Sequence, residues 1–281
     1  MDYGIFIFAT DKAVPVLELA PDVESRGFDS FWVPEHVHMP VKRETPFPGT
    51  PDGSLPDPYF RCQDPFTLLA GVAAVTSTLK IGTGICLVSQ HEPIDLAKRV
   101  ATLDLLSGGR FLFGIGAGWL REEMEPLGTP FEKRWQVTAE RVAAMKALWT
   151  QEEAEYHGDY VSVPKTYSYP KPAQTPHPPV YIGAGSRWAR QRVAEWGDGW
   201  LPNSPRPDRI ERGMADIRER AAAAGRDPDT IPTSVFGGSP DDLDAYEQMG
   251  VERVIFTLPS DDASVVMPEL DRLSKLVEAR R

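Results

Sequence analysis

The chain is poor in cysteine, has no run of basic residues, and contains no apolar stretch long enough to cross a bilayer. Cys62 and Cys86 are its only thiols. Two are too few for a disulfide framework or a structural zinc site, and they fit a reducing, cytoplasmic location. The formal net charge is -11. With no basic stripe to offset it, an electrostatic nucleic-acid binder is excluded. No basic segment precedes the first apolar run, Tyr3 to Phe8, so neither a leader nor a membrane anchor is expected.

What is present is a repeat. Leu79 to Leu87 and Arg110 to Ile115 are short apolar, β-branched runs of the kind that a strand buried on both faces requires. Between them the spacing predicts an amphipathic helix. Pro93 suits its first turn, Leu96, Val100, Leu103 and Leu106 share one face, and Gly108 and Gly109 close it. Further strands are expected at Tyr3–Phe8, Phe28–Val33, Val180–Ile182, Gly199–Leu201, Thr233–Phe236 and Arg253–Leu258. Helices are expected around Val16–Val23, with a break or kink at Pro21, after the Asp64 cap, and as one long region from beyond Gly118 to Thr150. Others follow from Ser186 to Trp196, over Arg209–Ala224, between Ser239 and Gly250, and through Val266, Leu270, Leu273 and Leu276. Strand and helix alternate to the end of the chain, which predicts an α/β fold: one (β/α)8 TIM barrel over residues 1–281, with loop insertions.

Two segments interrupt the alternation. Residues 37–63 carry Pro40, Pro46, Pro48, Pro51, Pro56 and Pro58, show no period, and leave the carboxyl end of the second strand. A lid over an active site is one reading and a stiffened surface loop is the other. Residues 155–179 read as an insertion: a small hairpin over Glu155–Val163 turning at Gly158 and Asp159, then a proline-rich stretch from Lys165 without regular structure.

Parallel barrels gather the carboxyl ends of their strands on one rim, where barrel enzymes keep their chemistry. Three clusters fall there: Glu35-His36, Gly116-Ala117-Gly118, and Gly183-Ala184-Gly185-Ser186. Glycine lets backbone N–H groups approach an anion closely, and a helix opening at Ser186 turns its unpaired N–H groups toward it. A phosphate site is the functional reading; tight barrel turns are the plain one. His36 is the candidate for proton chemistry, since imidazole exists in both protonation states near neutral pH, with Glu35 beside it to tune it. His36 and His38 also form an H-x-H pair, which admits a metal hydrolase, but no further residue completes a ligand set. Gly84-Ile85 interrupts a buried strand and marks a bulge, a close backbone approach or a packing glycine. Trp119 and Trp188 each open a helix after a glycine turn, placed to wall an aromatic ring or to pack in a core.

FDSFWVPEHV, LKIGTGICL, LAKRVATLDLLSGGRFLFGIGAGW and PKPAQTPHPPVYIGAGS together resemble the bacterial luciferase-like superfamily, in particular its actinobacterial branch linked to the deazaflavin coenzyme F420. The resemblance implies a flavin-type ring over strands two to four, with its phosphate at the turns holding Gly116, Ala117, Gly118, Gly183, Ala184, Gly185 and Ser186. It implies a non-proline cis peptide at Gly84-Ile85 behind the ring, and His36 near the ring's reactive face. The family's usual Asp-His pair is Glu35-His36 here, and Trp119 stands where deazaflavin-linked relatives carry an acid, so the catalytic acid is missing or supplied elsewhere. The implied function is an F420-dependent oxidoreductase moving a hydride between C5 of the cofactor and a small organic substrate. An FMN-dependent monooxygenase is the alternative, and a flavin- or deazaflavin-binding protein without turnover is the reading of another class. A homodimer is the assembly the resemblance implies.

Overall fold

A computed structural model describes residues 1–281. Its strands are β1 (Asp2–Phe6), β2 (Ser30–Val33), β3 (Lys80–Thr83), β4 (Cys86–Leu87), β5 (Phe111–Gly116), β6 (Glu153–His157), β7 (Ser162–Tyr167), β8 (Val180–Gly183), β9 (Gly199–Leu201), β10 (Ser234–Phe236) and β11 (Arg253–Thr257). Its helices are α1 (Val16–Ser25), α2 (Pro65–Val75), α3 (Pro93–Leu106), α4 (Arg121–Met124), α5 (Arg134–Thr150), α6 (Arg187–Glu195), α7 (Pro207–Ala223), α8 (Leu243–Met249) and α9 (Ala263–Glu278). Parallel pairing runs β10-β11-β1-β2-β3-β5-β8-β9, and a parallel bridge between Trp200 and Thr233 joins the two ends. The sheet therefore closes into the expected (β/α)8 barrel.

Alternation along each strand separates two cores. Ile5, Phe31, Ile81, Phe113, Ile182 and Val254 pack outward with the helices, while Phe6, Trp32, Leu112, Tyr181, Leu201 and Ile255, one from each of six strands, fill the barrel. Two of the inward positions are glycine because these rings need the space. A Cβ on Gly82 would lie 2.3 Å from the Trp32 ring, and one on Gly199 would lie 2.4 Å from that of Tyr181. At the amino end of the barrel the fully buried Arg253 closes the interior with Asp29, Glu252 and Ser234.

Five local expectations are corrected. The helix α1 runs unbroken through Pro21, which sits on its exposed face, where water can take up the carbonyl that the missing N–H leaves free. The third strand is split into β3 and β4 at Gly84-Ile85. The long helical region after Gly118 is interrupted by Gly128, whose φ of +88° ends the first pieces, so that α5 starts only at Arg134. Leu106 is 66% exposed, because the step of four from Leu103 lands on Ser107. The hairpin spans Glu153–Tyr167, which makes Lys165 to Tyr167 strand; Pro164 is accommodated beside a register shift in the ladder.

Candidate active site

The strand ends that the sequence singles out meet on one rim. In the parallel register Leu87 lies opposite Gly116 and Ile115 opposite Ile182, so the turns after β5 and β8 leave the barrel side by side. The Gly84-Ile85 peptide between β3 and β4 is cis. The Ile85 side chain packs across both turns: a Cβ on Gly116 would lie 2.0 Å from Ile85 Cδ1, and one on Gly183 would lie 2.8 Å from Ile85 Cγ2. Gly84 is held to glycine from the other side by Phe236, 2.3 Å from the same test position. The bulge and the two turns are thus one packed unit.

His36 leaves the end of β2 and its ring is nearly buried, with 8% of the side chain exposed. Its Nδ1 faces the Glu123 carboxylate at 3.0 and 3.1 Å, and the same carboxylate accepts the Val37 N–H at 3.1 Å. A carboxylate can only accept, so Nδ1 carries the proton and Nε2 is the ring nitrogen left as acceptor. Glu123 is the residue that sequence reading missed. Its one signal is an acidic pair, Glu122-Glu123, in the short helix that follows the Gly118 turn.

Glu35 does not tune His36, because its side chain turns the other way. One oxygen accepts the Leu87 N–H at 2.6 Å and the other meets His91 Nε2 at 2.8 Å. The buried carboxylate therefore ties the end of β2 to β4, just beyond the cis peptide. Cys86 joins Glu35 and His91 in a compact group of metal-ligand types, but the hydrogen bonds inside this group already use both carboxylate oxygens. His38 is exposed, whereas His36 is turned inward against Glu123.

Residues 37–63 bring two aromatic rings, Phe47 and Tyr59, to the neighbourhood of His36. Tyr59 lies 5.1 Å from the His36 ring and 4.8 Å from Phe47, and Phe47 lies 5.4 Å from Trp119, itself 6.4 Å from His36. Burial pushes the Tyr59 phenol up to about 12 and, with the nearby charges of Glu123 and Glu35, pushes the Cys62 thiol up to about 12. Both stay protonated near neutral pH, so neither supplies an anion or a nucleophile. Trp119 belongs to this cluster, whereas Trp188 is 55% exposed beside Arg187 and walls nothing here. Glu122 grips the same loop elsewhere, accepting the Glu44 and Thr45 N–H groups at 2.7 and 3.0 Å.

A family model described as luciferase-like monooxygenase matches residues 1–257. The chain belongs to this family. An uncharacterized protein of Mycobacterium tuberculosis is 40% identical over 278 residues, covering 98% of each chain. The FMNH2-dependent dimethylsulfone monooxygenase of Pseudomonas putida is 33% identical over 162 residues, 57% of this chain and 44% of that one. Among solved structures, an F420-dependent secondary alcohol dehydrogenase in complex with an F420-acetone adduct aligns with a TM-score of 0.78 at 19% identity, covering 100% of this chain and 99% of the other. The curated relatives thus include an FMNH2-dependent oxidoreductase, and F420-dependent enzymes share the fold.

Three features of this luciferase-like chain suit a phosphorylated ring cofactor on that rim. The Gln90 side-chain amide is buried with neither its oxygen nor its nitrogen paired, and its Nε2 lies 3.7 Å from where a Cβ on Gly118 would stand. Ser186 caps α6 by accepting the Ala189 N–H, so the amino end of a full helix opens beside Gly185. Gly185 also borders a cavity of about 380 Å³ whose lining includes three arginines. An unpaired buried amide, a helix amino terminus and a cationic hollow are all sites where an anion replaces lost hydration.

Proposed function

We propose that this chain is an F420-dependent oxidoreductase that moves a hydride between the deazaflavin C5 and a small organic substrate. The observation that carries the reading is the His36–Glu123 pair, set on the same rim as the cis-peptide bulge and the two glycine turns. The deazaflavin would supply the hydride chemistry. The backbone of Gly116, Ala117 and Gly118 and of Gly183, Ala184, Gly185 and Ser186 would hold its phosphorylated chain. Gly84 and Ile85 would back its ring, with Trp119 at its edge. His36 would give or take a proton at Nε2, while Glu123 balances the imidazolium at Nδ1. The role left to Glu35 is positioning: through Leu87 it holds the strand on which the bulge rests.

A second reading, an FMN-dependent monooxygenase, is favoured by the dimethylsulfone monooxygenase relative. Titrating the chain separately with F420 and with FMN, and following fluorescence quenching, tests both. A preference for F420 is expected. Preference for FMN, joined to oxygen consumption in turnover, would transfer the assignment to the second reading, and binding of neither would end both. Binding of F420 with no hydride transfer to any acceptor would leave a coenzyme-binding protein.

Residues 37–63 are proposed to act as the lid, with Glu122 as its catch. Burial alone would raise the Glu122 pKa, but the Glu44 and Thr45 N–H groups and other hydrogen bonds outweigh it and bring the carboxyl from 4.5 down to about 2. Because the folded value is the lower one, the grip is complete above pH 4.5 and is lost as the pH falls toward 2. Glu122→Ala is expected to reproduce this loss at neutral pH. Limited proteolysis within 37–63 should accelerate, and KM should rise roughly three- to tenfold, the range for losing an ordinary hydrogen bond in contact with water. Unchanged cleavage and unchanged kinetics together would reject the lid role.

A further inference from the structure

The cavity beside Gly185 lies between the β8 turn and the first half of α7, next to the turn proposed to hold the phosphate. Arg190, Arg209 and Arg212 line it together with Asn203 and Ser204. In a chain of net charge -11 this is a local reversal of sign. Two of the three guanidinium groups are fixed in place. Arg190 pairs with Asp216 at 2.5 Å and donates to the Gly185 carbonyl at 2.7 Å, while Arg212 pairs with Asp208 at 2.6 Å. Those two aspartates are already shared, Asp216 with Arg220 and Asp208 with Arg206, so four arginines face two carboxylates. Arg209, exposed at the mouth, makes no ion pair. The cavity is therefore cationic even after every internal pair is counted.

A single phosphate at the Gly183–Ser186 turn would not need this excess. A chain of carboxylates continuing past the phosphate would: guanidinium groups bind carboxylates through paired N–H donors, and Asn203 and Ser204 add neutral partners. We propose that this cavity receives the anionic tail of the coenzyme, the carboxylate-bearing chain that F420 carries beyond its phosphate and FMN lacks. Arg209 is then a specificity residue that favours the tailed deazaflavin over FMN. The inference rests on the deazaflavin reading above and extends it to the far end of the same ligand.

The test uses the intact chain and three probes: F420 with its oligoglutamate tail, the deazaflavin core lacking phosphate and tail, and FMN. Each is titrated by fluorescence quenching at low and high salt into the wild-type chain, Arg209→Gln and Arg209→Glu. Arg209 is the third residue of α7, where a glutamate suits the helix dipole, so folding is expected to survive the reversal. Arg209→Glu should weaken tailed F420 by about tenfold or more, the scale of a lost and reversed charge-assisted contact, with Arg209→Gln in between. The tail-less core and FMN should shift by less than about twofold, and only tailed F420 should weaken steeply with salt. Equal weakening of all three probes, or none with tailed F420, would overturn the tail site. Failure of the deazaflavin reading looks different, since then neither deazaflavin form would bind the wild-type chain.

Discussion

His36→Ala is expected to lower turnover about a hundred- to ten-thousandfold, the usual contribution of a positioned acid or base. The affinity for the coenzyme should hardly change. The reason is geometric: the His36 ring lies between Tyr59 and Trp119 and meets Glu123 at Nδ1, while the backbone turns proposed to hold the phosphate belong to other strands. Free imidazole should restore part of the rate, because the lost group is a proton carrier in a cavity of its own shape. Glu123→Gln supplies the control. The amide nearly preserves the volume and can still bond Nδ1, yet it cannot balance a positive ring, so turnover should fall while residues 37–63 stay ordered. The measurement is single-turnover oxidation of bound reduced coenzyme beside a binding titration. Full turnover in His36→Ala with normal binding would remove the proton role. A parallel rise in the dissociation constant would turn His36 into a binding residue instead.

The barrel was legible because its signals are local. Strands buried on both faces read as unbroken apolar runs, and Pro93, Asp64 and Gly250 mark helix ends through chemistry confined to a single turn. The bulge was legible too, since Gly84 interrupts such a run. Glu123 was not. It stands 87 residues from His36, and its side chain is placed only once the turn after β5 folds back against the end of β2. Glu35, adjacent in sequence, was the natural partner on paper, but neighbouring residues at a strand end point to opposite sides. That alternation sends Glu35 to Leu87 and His91. The reason for glycine at 116 and 183 was likewise hidden, because Ile85 crowds both positions from a third strand.

Stability should depend most on the opposite end of the barrel. Asp29→Ala is expected to cost about 3–5 kcal/mol, the range for stripping one partner from a buried ion pair. Arg253 is 1% exposed and has Asp29 at 2.7 Å from its Nε, with Glu252 and Ser234 each at 3.1 Å from Nη1. Removing Asp29 leaves the guanidinium in the barrel with its best acceptor gone. Arg253→Met should cost less. Two of its carboxylate partners, Asp2 at 47% and Glu252 at 36% exposed, are reached by water, and the more buried Asp29 keeps Lys80 at 3.0 Å, while the methionine fills the apolar stem's space. Acid should reproduce the loss of Asp29. Burial alone would raise its pKa, but Arg253 and Lys80 outweigh that and hold it below 3.8. Its contribution is therefore present above pH 3.8 and disappears as the pH falls through the lower, folded value. Urea unfolding checks all three statements: the midpoint should drop in Asp29→Ala at constant slope, and coenzyme binding on the far rim should be retained. If Arg253→Met proves as costly as Asp29→Ala, the guanidinium's own hydrogen bonds hold the barrel's base together, and the penalty is not that of a stranded charge.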